Sequence, residues 1–287
     1  MPELIVRGVK INYEVFGSRG PWIALTPGSR RAYGELAGLA KRIAADDFRV
    51  LLHDRRNCGS SEVAFDGSAS EHEVWADDLF ELTSMLGAQP LYVGGSSAGA
   101  RLAILFAIRH PSATAGLLLW RVTGGQHAVD TLSKAYYGDF IEIAKAGGMA
   151  AVCESPHFRD CISRRPSNRA RLMAMDADDF IRVMETWREQ FLKSAKLPIV
   201  GATEEQLRGM TFPACIIMGN DVIHTPETAR RIHDLIKDSE LHDDVVQKRS
   251  GKDLLQDWDQ KEWAAAEGRM SEIFVEFLRR KLTKGNV

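Results

Sequence analysis

The chain has 287 residues, of which 45% are hydrophobic and 26% charged, and its formal net charge is −2. That length accommodates one large α/β domain, or a core plus a subdomain, with ample apolar material to bury. The near-neutral balance argues against nucleic acid or an anionic membrane as the main partner, and no apolar run is long enough to cross a bilayer.

The opening residues, MPELIVRGVKINYEVFG, alternate as strands do and do not read as a targeting segment, so a cytoplasmic location is expected. Leu4–Gly8 and Lys10–Phe16 predict a hairpin. Trp22–Leu25 is a short buried strand before the turn TPGSRR, and Ala32–Ala45 has helical spacing. Arg49–His53 predicts a strand that ends in HDRRNCGSS. Glu71–Leu86 is amphipathic, Leu91–Gly94 reads as a strand, Ala98–His110 as a helix and Gly116–Trp120 as another strand. This alternation, with continuously apolar strands, implies a parallel sheet covered by helices on both faces. From Thr123 to Gly209 the spacing is helical and no strand is evident. The strand pattern returns at Phe212–Met218, followed by a helix (Pro226–Lys237), a strand-like ELHDDVV and a final helix (Glu262–Lys281). The expected organisation is therefore a core, residues 1–122 and 210–287, interrupted by a helical cap, residues 123–209.

Four cysteines, Cys58, Cys153, Cys161 and Cys215, are scattered and form no Cys-x-x-Cys pair, so reduced thiols are expected. No histidine pair completes a zinc pattern, and no glycine-rich nucleotide loop occurs. Neither a metal nor a cofactor is implied.

The stretch LYVGGSSAGA carries the chemistry. Gly95-x-Ser97-x-Gly99 fits a nucleophile turn between a strand and a helix. Such a turn strains the serine backbone, and side chains in place of the glycines would collide with the strand or helix. It presents the hydroxyl of Ser97 at a helix N-terminus, where the amide of Ala98 can hold an oxyanion. The chain resembles the α/β-hydrolase superfamily, in its cap-bearing branch, over nearly its whole length. The resemblance rests on the opening hairpin, LTPGS, HDRRNCGSS, GGSSAGA, the helical insertion and GNDVIHTP. It implies an eight-stranded, mostly parallel sheet, with Ser97 as nucleophile, the amides of Ser29 and Ala98 as oxyanion hole, and Asp221 as triad acid. The other reading of Asp221 is a helix N-terminal acid before Pro226.

The general base is not where the resemblance puts it. A Gly-His step is expected after the last strand, but Gly251-Lys252 stands there and no histidine follows His242. The candidates are His224, three residues beyond Asp221, which we take as the provisional base, then His242, Lys252, and the cap histidines His127 and His157. Arg30, Arg31 and Arg121, beside Trp120, follow strands whose carboxyl ends should rim the pocket, as do Arg55 and Arg56. They could meet an anionic substrate or pair with acids such as Asp54 and Glu62. The aromatic residues Tyr136, Tyr137, Phe140, Phe158, Phe180 and Trp187 either line the pocket or form the core of the insertion. The expected function is a serine hydrolase acting on an ester, lactone or activated C–C bond of a small, possibly anionic, substrate, as monomer or homodimer. The alternatives are a lyase, isomerase or cyclase on the same scaffold, or a silent binding protein.

Overall fold

The computed structural model describes residues 2–245 and 260–284. The strands are β1 (Glu3–Val6), β2 (Val9–Phe16), β3 (Trp22–Thr26), β4 (Arg49–His53), β5 (Leu91–Ser96), β6 (Thr114–Trp120), β7 (Ala214–Ile217) and β8 (Ser239–His242). They form one eight-stranded sheet in the order β1-β2-β4-β3-β5-β6-β7-β8. The first hairpin and the β2/β4 pair are antiparallel and the remaining pairs parallel. The chain reverses its direction of travel across the sheet between β3 and β5. In open α/β sheets the crevice at the carboxyl ends of such a pair is where ligands bind.

Side chains alternate across the sheet with period two, so each strand feeds two cores. Ile23, Leu25, Val50, Leu52, Leu118 and Trp120 face α1 (Ala37–Ala44) and the last helix (Gln260–Lys284). Ala24, Leu51, Leu117 and Leu119 face the opposite side, where α2 (Glu71–Met85) and α3 (Ala98–Arg109) lie. Ser70 caps α2 by exchanging hydrogen bonds with Glu73, as a capping box requires. The helix expected over Ala32–Ala45 is shorter than its pattern. Ala32 is extended and the Tyr33 amide donates to Asp54 Oδ1 at 2.7 Å, so a tight turn (Tyr33–Leu36) precedes α1. The last strand also ends early, at His242, and Val246 lies outside the described residues.

Between β6 and β7 come α4 (Gln126–Ser133), α5 (Asp139–Glu154), α6 (Pro156–Arg164), α7 (Ser167–Met173), α8 (Ala177–Leu192) and α9 (Glu204–Arg208). Their apolar faces build a third core around Phe140, Phe158, Phe180 and Trp187, and Val63 joins it from the loop after β4. The predicted aromatics are therefore mainly packing residues. A single wide turn, Lys134–Gly138, links α4 to α5 and carries Tyr136 and Tyr137 back toward the sheet. Such widened turns are frequent at functional sites. Helix α10 (Pro226–Leu235) and α11 (the last helix) complete the fold. Among the described residues no helix is long and apolar enough to cross a membrane.

Candidate active site

Ser97 follows β5 directly and has φ 52° and ψ −108°, a conformation that costs energy in a non-glycine residue. Two features hold it there. The Ser97 amide donates to the Trp120 carbonyl at 3.2 Å. A Cβ on Gly99 would fall 2.0 Å from the Thr26 carbonyl oxygen, so only glycine lets α3 start this close to β3. The steric reasoning applied to the sequence motif thus has a concrete contact behind it.

Asp221 and His224 share the loop after β7. Asp221 Oδ1 accepts from the amides of Ile223 (2.9 Å) and His224 (2.8 Å), which curls the loop into a tight turn. His224 Nδ1 lies 2.9 Å from both carboxylate oxygens. A carboxylate only accepts, so Nδ1 carries the proton and Nε2 presents a lone pair. That lone pair faces Ser97 Oγ at 2.9 Å. A Cβ on Gly219 would sit 2.6 Å from His224 Cβ, so a larger residue would push the imidazole away. Ser97 Oγ also lies 3.3 Å from the hydroxyl of Thr123, a fully buried side chain.

Burial and neighbouring charge act on both groups of the pair. Burial alone would raise the Asp221 carboxyl. The hydrogen bond from His224, together with the charges of His224 and Arg121, outweighs it and holds the group well below the usual carboxylate range. Burial depresses His224, the Asp221 hydrogen bond pulls it back up, and the charges of Arg121 and Arg101 push it down, leaving it below its ordinary value. The imidazole is therefore neutral at neutral pH, as a proton acceptor must be.

The loop after β3 packs against this turn. A Cβ on Gly28 would meet Ser97 Cβ at 3.4 Å, and Ser29 is held at φ 43°. Tyr136 Oη donates to Ser29 Oγ at 3.3 Å. The segments that carry the amides of Ser29 and of Ala98, the first residue of α3, thus pack together at Gly28 and Ser97.

The expected anion-binding residues need correction. Arg30 donates to both Glu71 carboxylate oxygens at 2.9 Å and to the Tyr136 carbonyl at 2.9 Å, so its charge ties the helical segment to α2. Arg31 is exposed and pairs with Glu35 one turn on. Trp120 faces away from Ser97, with its ring 5.7 Å from that of Phe274 on α11, as its place in the β6 alternation demands. Arg121 donates to Asp221 Oδ2 at 3.2 Å. The structural-bridge alternative describes this set better than a ring of ligand contacts.

Of the candidate bases, the fold brings His224 to Ser97. His242 closes β8 near Glu240, beyond β6 and β7 from the Ser97 strand. His127 is exposed on α4, and His157 Nε2 sits 2.8 Å from the Asn57 carbonyl. Lys252 lies outside the described residues. Sequence reasoning missed Thr123, His72 and Arg101. Arg101 had a visible signal: it is the lone charge between the two ends of the apolar helix AGARLAILFAIR.

Among the described residues no cluster of acidic, histidine and cysteine side chains could hold a metal ion. The family model described as Serine aminopeptidase, S33, matches residues 20–248. Over 108 residues the chain is 34% identical to the uncharacterized hydrolase YraK of Bacillus subtilis (38% of this chain, 39% of that protein). Over 119 residues it is 30% identical to a proline iminopeptidase of Lactobacillus acidophilus (39% and 40%). The matched region thus spans about two fifths of the length of these relatives. Solved structures of similar fold include a meta-cleavage product hydrolase from Pseudomonas fluorescens IP01 (TM-score 0.65, 19% identity, 98% of both chains). A second is the enol-lactonase from Burkholderia xenovorans LB400 (TM-score 0.61, 20% identity, 98% of this chain and 100% of that one). A third is a thermophilic esterase from Thermogutta terrifontis (TM-score 0.64, 20% identity, 98% of both chains). With an eight-stranded sheet of this order and a family match over most of its length, the chain belongs to the serine aminopeptidase S33 family and has the α/β-hydrolase fold.

Proposed function

We propose that this protein is a serine hydrolase that cleaves an ester, a lactone or an activated C–C bond of a small organic acyl compound through Ser97. Ser97 Oγ attacks the carbonyl carbon while His224 Nε2 takes its proton. Asp221 holds the resulting imidazolium in place. The amides of Ser29 and Ala98 receive the negative charge that forms on the carbonyl oxygen. As the intermediate collapses, His224 returns the proton to the leaving group, and a water activated by the same imidazole then frees the acid. Residues 123–209 act as a cap over the core formed by 1–122 and 210–287, and Tyr136 carries the contact between the two at Ser29.

One observation supports this reading above all: the unbroken chain from Ser97 Oγ to His224 Nε2 and from His224 Nδ1 to Asp221, 2.9 Å at each link. The charge around the site bears on substrate class. An aminopeptidase substrate brings an ammonium group. Near the Ser29 loop and the triad the buried cations Arg30, Arg55, Arg101 and Arg121 outnumber the buried carboxylates Glu71, Asp54 and Asp221 by one, and Glu71 and Asp221 are already paired with arginines. That field repels an ammonium and favours a neutral or anionic acyl compound.

A fluorophosphonate probe tests the reading. The folded wild type is expected to be labelled and Ser97→Ala is not. If the folded wild type resists the probe, Ser97 is not an activated nucleophile. A lyase, isomerase or cyclase, or a binding protein on this scaffold, then takes the place of a hydrolase.

A further inference from the structure

Behind the triad lies a cluster of buried guanidinium groups whose charges do not balance. Arg30, Arg55 and Arg101 surround His72, and all three push its imidazole toward the neutral form after burial has done so most. Arg30 is neutralised by Glu71, which also accepts from Tyr137 Oη. Asp54 is committed to Asn12 and to the amides of Tyr33 and Ser60. Counting Arg30, Arg55 and Arg101 against Glu71 and Asp54 leaves one cation in excess. Among the described residues no carboxylate pairs with Arg55 or Arg101, and both are no more than 1% exposed. A buried charge without a counter-ion is costly, so a ligand that supplied the partner would gain by doing so.

Arg101 is the better placed of the two. Arg55 stacks on Trp75 at 4.5 Å and reaches the carbonyls of Gly28 and Arg31, supporting the Ser29 loop from behind. Arg101 stands one helical turn beyond Ser97, its amide bonded to the Ser97 carbonyl at 3.1 Å. Its Nη2 and Nε lie 3.0 and 3.3 Å from His72 Nε2, and its Nη1 is buried with no acceptor. Its guanidinium carbon is 5.9 Å from the centre of the Tyr136 ring, the residue that bonds Ser29, and 5.2 Å from that of Phe191. His72 and Phe191 in turn line an open cavity of about 260 Å³ together with Leu105, Tyr137 and Val200. The cation therefore packs against His72 and Phe191 in the wall of a cavity sized for a small acyl group, and its backbone sits one helical turn beyond Ser97.

We propose that Arg101 binds a carboxylate carried by the substrate, with Nη1 donating to it, and that it selects anionic over neutral acyl compounds. The assignment rests on the serine-hydrolase reading for the bond that is cleaved, but not for the binding itself. A carboxylate matches the missing charge, and a planar guanidinium holds it better than an ammonium would.

The test compares two 4-nitrophenyl esters of similar length, the neutral butyrate and the anionic monosuccinate. In Arg101→Met, kcat/KM for the succinate ester is expected to fall about 10- to 100-fold, the range for losing a hydrogen-bonded charge, and that for the butyrate less than about threefold. Arg101→Lys should recover part of the loss, and it carries the comparison if the Met variant does not fold. Equal losses on both esters, or none, would overturn the assignment. Calorimetric titration of Ser97→Ala with glutarate supplies a readout independent of turnover. Binding that disappears in Ser97→Ala/Arg101→Lys supports Arg101, and no binding to Ser97→Ala overturns it. If neither ester is turned over and the fluorophosphonate does not react, the hydrolase reading fails while the titration still decides the anion site.

Discussion

Two buried polar clusters adjoin in this molecule and differ in one respect. In the Asp221–His224–Ser97 chain each titratable group has its partner, and the loop backbone supplies further donors. In the arginine cluster all three side chains keep a buried nitrogen without an acceptor, and among the described residues only Arg30 has a carboxylate partner, Glu71. A satisfied network in a low dielectric is rigid, which is what proton transfer over a fixed distance needs. An unsatisfied one is held open by the surrounding fold, and its deficit names the charge of what should fill it.

The strongest way to break the satisfied cluster is to remove its base. His224→Gln is expected to lower kcat by about 100- to 10,000-fold with the fold intact, measured on any ester the wild type turns over. Near-normal turnover would take His224 out of the mechanism. Next in size is the matched half of the arginine cluster. Glu71→Gln leaves Arg30 without its carboxylate and raises the cluster's excess to two cations, and breaking a buried pair from one side costs about 3–5 kcal/mol, to be read from urea unfolding midpoints. A loss under about 1 kcal/mol would mean the cluster tolerates excess charge without a ligand.

The pH dependence sharpens the contrast further. His224 is depressed below 6.5, so kcat/KM should rise through an apparent pKa under that value and stay level above it. Stability follows the same sign. Burial and then the Arg55 charge push His53 down to about 3, and His72 is also depressed. The unfolded chain therefore binds more protons than the folded one below about 6.5, and stability falls as pH drops from there toward about 3. Stability that improves on acidification from pH 7 to 5 would contradict this. The smallest effect should come from Arg31→Ala. The side chain is exposed and pairs with Glu35 across one turn, so stability should shift by less than about 0.5 kcal/mol and KM should not move.

Most of the fold was legible in the chain. Strands such as Arg49–His53 matched to the residue, because a run buried on both faces is continuously apolar. Helix ends were less legible: a tertiary hydrogen bond to Asp54 decided where α1 begins. For the candidate site, the turn at Ser97 could be read from its glycines. The arginines could not be sorted, since adjacent residues such as Arg30 and Arg31 look alike in sequence, yet one is buried against Glu71 and the other is in solvent.

The sequence by itself determined the glycine-flanked turn at Ser97, the two-faced strands and the helical insertion, because steric exclusion and side-chain period act over a few neighbouring residues. Only the tertiary structure decided that His224 meets Ser97 and that no carboxylate among the described residues pairs with Arg101. Those facts depend on loops from β5 and β7 converging over the intervening β6, and on which carboxylates the packing brings within reach. Distances of that kind are set across the sheet, where no local pattern records them.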